Sequence, residues 1–236
     1  MEPKYKRVLI KISGEALAGE KGTGYDFDFV SRVCEAVKDC ARMGVQVGIV
    51  IGGGNFWRGV KDGAGKVERV SADRMGMLAT AMNCLAVADV FRKHGADARV
   101  MTAVDIQGVG ERFDRDKSME YMEKGSIVLF ACGTGHPFFS TDTAAVLRAA
   151  EIQADAILLA KNIDGVYSDD PRKNPEAVKF DSISYGEVLA RKLAVMDTTA
   201  TSLAMDNNIP VAVFALKEPE NIGKVLCGEK IGTIVS

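Results

Sequence analysis

Short apolar, β-branched runs recur along the chain at 8–12, 45–51, 98–101, 127–131, 156–160, 211–215 and 231–235. Between them lie longer stretches in which apolar residues return every three to four positions, at 27–43, 72–94, 116–123, 142–152 and 183–193. A continuous apolar run too short for a helix suits a strand buried on both faces, whereas the longer period marks a helix with one apolar side. Their alternation predicts an α/β fold, a three-layer α/β/α sandwich with a mainly parallel central sheet. Gly44, Gly95 and Gly125 each stand where a helical stretch should give way to a strand, the place where a left-handed residue closes a helix. No low-complexity segment, fixed repeat or long Pro/Ser linker interrupts the pattern, so one domain is expected over 1–236. Polar interruptions at 59–68, 108–115 and 164–180 read as loops.

Of the 236 residues, 47% are hydrophobic and 26% charged, which is ordinary for a globular chain and too apolar for a disordered one. Lys and Arg number 30 against 32 Asp and Glu, leaving a charge of −2, so no general positive field would draw the chain to nucleic acid or an anionic membrane. A bound phosphate must therefore be held by local groups. No apolar run nears the roughly 20 residues of a membrane helix, and the N-terminus lacks a signal-peptide core, so a cytoplasmic location is expected. Cys34, Cys40, Cys84, Cys132 and Cys227 are odd in number and contain no C-x-x-C, which predicts reduced core residues. With only His94 and His136, a histidine metal site or Ser-His-Asp triad has little raw material.

In open parallel sheets, ligands collect beyond the carboxyl ends of the strands. Three such ends carry unusual chemistry. The first places Lys11 inside an apolar run and follows it with Ser13-Gly14; a buried ammonium needs an anion. The second reads Gly52-Gly53-Gly54 and then Arg58, so bare backbone N–H groups can approach a ligand beside a forked phosphate donor. The third runs Gly133-Thr134-Gly135 to Ser140-Thr141-Asp142 and enters a helix whose first amides can hold an anion. Each has a plainer reading: tight turns for the glycines, a structural carboxylate for Lys11, a helix cap for Ser140 or Thr141. Together they point to a nucleotide or phosphate site. Gly63-Ala64-Gly65-Lys66 lacks the earlier glycine and the following Ser/Thr of a P-loop, and no G-x-G extends to G-x-G-x-x-G. A P-loop kinase and a Rossmann dehydrogenase are thereby disfavoured.

Six segments in order, 11–17 (KISGEAL), 52–59 (GGGNFWRG), 73–80 (DRMGMLAT), 133–142 (GTGHPFFSTD), 164–171 (DGVYSDDP) and 195–200 (VMDTTA), closely resemble the bacterial uridylate kinases of the amino-acid kinase fold. The resemblance spans nearly the whole chain and implies phosphoryl transfer from ATP to UMP, with the N-terminal part mainly holding UMP and the C-terminal part ATP. It implies that Lys11, Ile12, Ser13 and Gly14 hold the β/γ-phosphates, with Gly54 and Arg58 near the transferred group. Asp142 and Asp197, at helix starts, would organise Lys11 or a Mg²⁺ ion that arrives with ATP. Lys161 or Asn162, with Tyr167 and Asp170, would contact adenosine. On the acceptor side, Gly53 would face the UMP phosphate and Asp73 the ribose hydroxyls. Thr134, Gly135, His136, Pro137, Phe138, Phe139, Ser140 and Thr141 would wrap uracil and phosphate, the two phenylalanines as wall and core. His136 stands where the family usually has Asn, and Trp57 where a smaller apolar or aromatic residue is common.

Residues Gly19, Glu20, Lys21, Gly22, Thr23 and Gly24 match a region the family links to GTP activation. Inhibition by UTP and a hexamer built from dimers are also implied, with 75–90 able to serve as a dimer face or as core. Two rivals remain at this level: a kinase of the same fold acting on a carboxylate or carbamate, and a non-catalytic nucleotide-binding protein.

Overall fold

A computed structural model of the chain describes residues 2–58 and 65–236. Gly59, Gly63, Ala64 and most of the loop expected at 59–68 lie outside the described residues. The strands are β1 (Arg7–Ile12), β2 (Gln46–Ile51), β3 (Ala98–Thr102), β4 (Glu111–Arg112), β5 (Ile127–Ala131), β6 (Ala156–Lys161), β7 (Val166–Tyr167), β8 (Lys179–Phe180), β9 (Ser182–Ile183), β10 (Val211–Ala215) and β11 (Thr233–Val235). Nine of them form one sheet in the order β4-β3-β5-β2-β1-β6-β10-β11-β9, while β7 and β8 pair as a separate antiparallel ribbon. Within the large sheet only β10–β11 runs antiparallel, a departure from the otherwise parallel pattern.

The helices are α1 (Gly14–Leu17), α2 (Phe27–Arg42), α3 (Arg69–Lys93), α4 (Arg115–Glu123), α5 (Thr141–Glu151), α6 (Tyr185–Ala190), α7 (Thr198–Asp206) and α8 (Asn221–Leu226). Strand alternation divides the core in two. Val8, Ile10 and Ile12 join Val47, Ile49 and Ile51 against the side chains of α2, α3 and α8. Leu9 joins Val50, Phe130, Ile157 and Leu159 against α5, α6 and α7. Lys11 shares the parity of Leu9, so the same alternation sends it toward the α5 face. The register sets Lys11 opposite Val50 on one side and Leu159 on the other, which brings the ends of three central strands level.

Gly44, Gly95 and Gly125 adopt φ of 85°, 76° and 86°, the left-handed stops expected of them. Asp26 and Asp114 start α2 and α4 by accepting the Phe29 and Lys117 N–H groups at 3.1 and 2.8 Å. Other expectations need correction. The helix expected over 183–193 is only six residues long, because Ile183 pairs in β9 and Ser184 caps α6. The last strand begins at Thr233 and not at residue 231. Helix α3 starts at Arg69, one turn early, so Asp73 lies inside it and not at its first residue. By length and composition α3 could cross a membrane, yet Ala81, Cys84, Val87, Ala88 and Phe91 build one of its faces into the core. Four cysteines are buried and none is bonded, while Cys227 at the end of α8 is only half-buried.

Candidate functional site

The ends of β1 and β2, the start of α5 and the N-terminal half of α3 enclose a cleft of about 590 Å³. At its floor, Lys11 Nζ lies 2.8 Å from Asp142 Oδ1 in the first turn of α5, with the lysine side chain 11% exposed. Of the two candidate aspartates, it is Asp142 that pairs with Lys11. Asp197 lines the same cleft but is held by other partners: it caps α7 by accepting the Ala200 N–H at 3.0 Å and takes the Ser140 hydroxyl. It thus clamps the start of α7 to the start of α5. Lys161, at the end of β6, also turns inward and donates to the Val195 carbonyl. Burial lowers its pKa; Asp142 opposes that shift and Lys11 adds to it.

The glycine positions make backbone approach possible. A Cβ on Gly14 would sit 2.3 Å from the Gly52 carbonyl oxygen, and one on Gly53 would sit 2.9 Å from Ala79 Cβ and 3.0 Å from the Gly76 oxygen. The β1 and β2 loops and α3 therefore touch through bare main chain. Over Gly54 lies Glu15, whose carboxylate holds Arg58 Nη2 at 2.9 Å, while Arg58 Nε donates to the Gly54 carbonyl at 3.3 Å. Trp57 anchors the same loop to α3 by donating from Nε1 to the Ala72 carbonyl at 2.8 Å.

At the other end of the cleft, Asp73 Oδ2 accepts from the Phe138 N–H and from Arg69 Nε, each at 2.8 Å. Arg69 also stacks over the Phe138 ring at 5.4 Å. This loop is wound tightly: Cys132, Gly133, Gly135 and Phe138 take φ of 65°, 58°, 82° and 71°. A phenylalanine there is sterically costly, and the Asp73 bond holds it in place. Phe138 and Phe139 are 66% and 51% exposed, so the expected core role fails; they form the rim of the cleft. Thr134 bonds the His136 backbone, and Ser140 caps α5 through the Thr143 N–H at 3.1 Å. Thr141 lines the cleft without serving as the cap.

Lys11, Ser13, Gly14, Gly53, Gly54, Asp73, Thr134, His136, Phe138, Phe139, Ser140, Thr141 and Asp197 thus face one cleft. Ile12 is 1% exposed and can offer a ligand only its main chain. Asn162, Tyr167 and Asp170 are not part of the cleft wall. Tyr167 donates to Asp164 and Asp170 is taken up by Arg172 on the adjoining 164–180 loop. Lys161 is likewise absent from the cleft wall, its amino group given to the Val195 carbonyl. Residues 19–24 also lie outside the cleft, as a 3₁₀ turn (Gly19–Lys21) and a bend tied to the site through Thr23 Oγ1 and the Asn55 carbonyl at 3.0 Å. Sequence reading missed Glu15, Arg69, Gly76, Thr143, Thr198 and Thr199 as cleft residues. For Arg69 and Asp73 a signal existed, the i,i+4 spacing of opposite charges.

Comparison with known proteins extends this picture. The model of the amino acid kinase family matches residues 6–215. A uridylate kinase of Streptococcus thermophilus is 55% identical over 236 residues, covering all of this chain and 96% of its relative. The crystal structure of a Bacillus anthracis UMP kinase superposes with a TM-score of 0.95 at 37% identity, over 98% of this chain and 96% of that one. A uridylate kinase from Archaeoglobus fulgidus gives 0.74 at 27% identity, over 97% and 99%. With most of its length matched by the family model, and with near-complete overlap with these relatives, the chain belongs to the amino acid kinase family.

Proposed function

We propose that this chain transfers the terminal phosphoryl group of ATP to UMP, giving ADP and UDP for pyrimidine nucleotide synthesis. The observation that carries this reading is a single glycine-lined cleft with the Lys11–Asp142 pair at one end and the Asp73 loop at the other. In-line transfer asks mainly for positioning and charge neutralisation. Lys11 meets the charge that develops on the transferred group, and Asp142 aims it. Arg58 adds a forked cation once the incoming phosphates compete with Glu15. The N–H groups of Gly53 and Gly54 lie between donor and acceptor. Asp73 accepts the ribose hydroxyls by exchanging its hold on Phe138 and Arg69, and residues Thr134 to Thr141 enclose uracil and the acceptor phosphate. Adenosine lies toward Asn162, Tyr167 and Asp170.

Among the described residues no three His, Cys, Asp or Glu side chains converge as a metal cage. A Mg²⁺ ion carried in on the triphosphate would be held by phosphate oxygens and water and would neutralise charge there. Strands from both halves of the chain interleave at the centre of one sheet, β1 between β2 and β6, which supports one domain. Thiols without a disulfide suit the cytoplasm. GTP activates through residues 19–24, and UTP inhibits.

Release of ADP measured with each nucleoside monophosphate tests the activity. UMP should exceed CMP, AMP and GMP in kcat/KM by on the order of 100-fold, since a pocket built to hydrogen-bond one base leaves polar groups unpaired with another. Equal turnover of UMP and CMP, or turnover of a carboxylate or carbamate in its place, would remove this assignment.

Assembly into a homo-oligomer, six chains by the family pattern, is proposed to use α3. Met75, Leu78, Met82 and Leu85 are 40%, 53%, 48% and 38% exposed. Their spacing of three, four and three residues draws a coiled-coil-like seam along one face of the helix. Met82→Glu should lower the mass found by light scattering to that of a smaller species. An unchanged mass would show that this face is not a contact.

A further inference from the structure

Two asparagines stand buried beside the glycine loop, at 2% exposure for Asn55 and 0% for Asn83. Their amides pair reciprocally: Asn83 Nδ2 donates to Asn55 Oδ1 at 2.7 Å, and Asn55 Nδ2 donates to Asn83 Oδ1 at 3.0 Å. Each has one further donor bond. Asn83 Nδ2 reaches the Gly52 carbonyl at 2.6 Å, and Asn55 Nδ2 reaches the Gly24 carbonyl at 2.9 Å.

The Gly52 bond has a directional consequence. In a trans peptide the C=O and the following N–H point opposite ways. With the Gly52 oxygen drawn toward α3, the Gly53 N–H is turned away from that helix. A peptide flanked by two glycines is also the easiest to rotate, because neither residue has a Cβ to oppose the new φ/ψ. Such a peptide needs an external lock. Asn83 supplies it, and the partner amide keeps Asn83 from turning.

We propose that Asn83 is a positioning residue of the acceptor site: by holding the Gly52 carbonyl it presents the Gly53 N–H to the phosphate of the acceptor nucleotide. Asn55 fixes Asn83 in that orientation. The inference rests on the UMP reading and adds a residue that touches no substrate atom.

The test compares binding of UMP and uridine, which differ only by the phosphate, to the intact chain by titration calorimetry. Asn83→Ala should shrink the ratio of UMP to uridine affinity by about tenfold, the scale of one hydrogen bond to a charged group, with uridine affinity held. Val87→Ala, one turn along α3 at a residue 1% exposed, is the control for general loosening and should keep the wild-type ratio. An unchanged ratio in Asn83→Ala overturns the inference while leaving the UMP reading intact. A wild-type protein that fails to prefer UMP over uridine overturns both. Should Asn83→Ala fail to fold, glycine-¹⁵N spectra of the wild type decide: the Gly53 resonance must move with UMP and not with uridine. Movement with both, or with neither, rejects the assignment.

Discussion

Lys11→Ala should lower kcat by at least about 100-fold, the usual scale of losing one electrostatic donor to a transition state, or on the order of 3 kcal/mol. The side chain is 11% exposed and sits 2.8 Å from Asp142, so the truncation does more than remove a cation. It leaves a carboxylate without its partner beside the place where a triphosphate must bind. Lys11→Ala combined with Asp142→Asn should therefore be less damaging than the sum of the two single changes, since contacting residues couple. Rapid-quench measurement of the chemical step separates this from slow product release. A folded Lys11→Ala protein with unchanged kcat would exclude Lys11 from the reaction.

Gly14→Ala should be nearly as severe by a different route. The added methyl carbon would lie 2.3 Å from the Gly52 oxygen and 2.7 Å from Asn55 Oδ1, closer than van der Waals contact allows. Because the Gly52 oxygen belongs to main chain, relief requires the two strand-end loops to part. A displacement of about 1 Å at such a site can cost on the order of 100-fold in rate, and overpacking of this kind costs about 1–3 kcal/mol of stability. Gly223→Ala makes the contrast. That glycine lies in α8 with nothing within 4 Å of its would-be Cβ, and the change should raise stability by about 0.5–1 kcal/mol. Activity assays and thermal melts of the two variants check the pair. If Gly14→Ala retains full activity, the close approach of the two loops is not needed for transfer.

Much of the fold could be read from the chain because strands buried on both faces leave unbroken apolar runs. β5 matches its apolar run at both ends, and β10 does too. The glycines at 44, 95 and 125 marked helix ends because no other residue takes left-handed φ so cheaply. Helix α7 was marked only by its acidic start at Asp197, its Thr-rich turns giving no clear apolar period, and α8 escaped notice because it has six residues and no side-chain cap. The pairing of Lys11 with Asp142 was foreshadowed by strand parity and by the helix start after Ser140. The hold of Asp73 on the Phe138 N–H was not, because it depends on a positive φ at a phenylalanine, which no propensity suggests. The displacement of Tyr167 and Asp170 from the cleft wall was equally hidden, since local partners within the 164–180 loop decide where those side chains turn.

The strand order places β1 fifth of nine, with two-residue strands β4 and β9 at the two edges. Amide protons are released by local opening, which begins where few bonds must break together. Exchange with heavy water should accordingly run inward from both margins, with the amides of Ile10 and Ile49 among the last to be replaced. The phosphate-facing loops hang from that slowest zone. A molecule that has lost its borders to heat or mild denaturant would still carry the Lys11 end of the cleft in working order, and nucleotide binding should outlast the first loss of sheet signal.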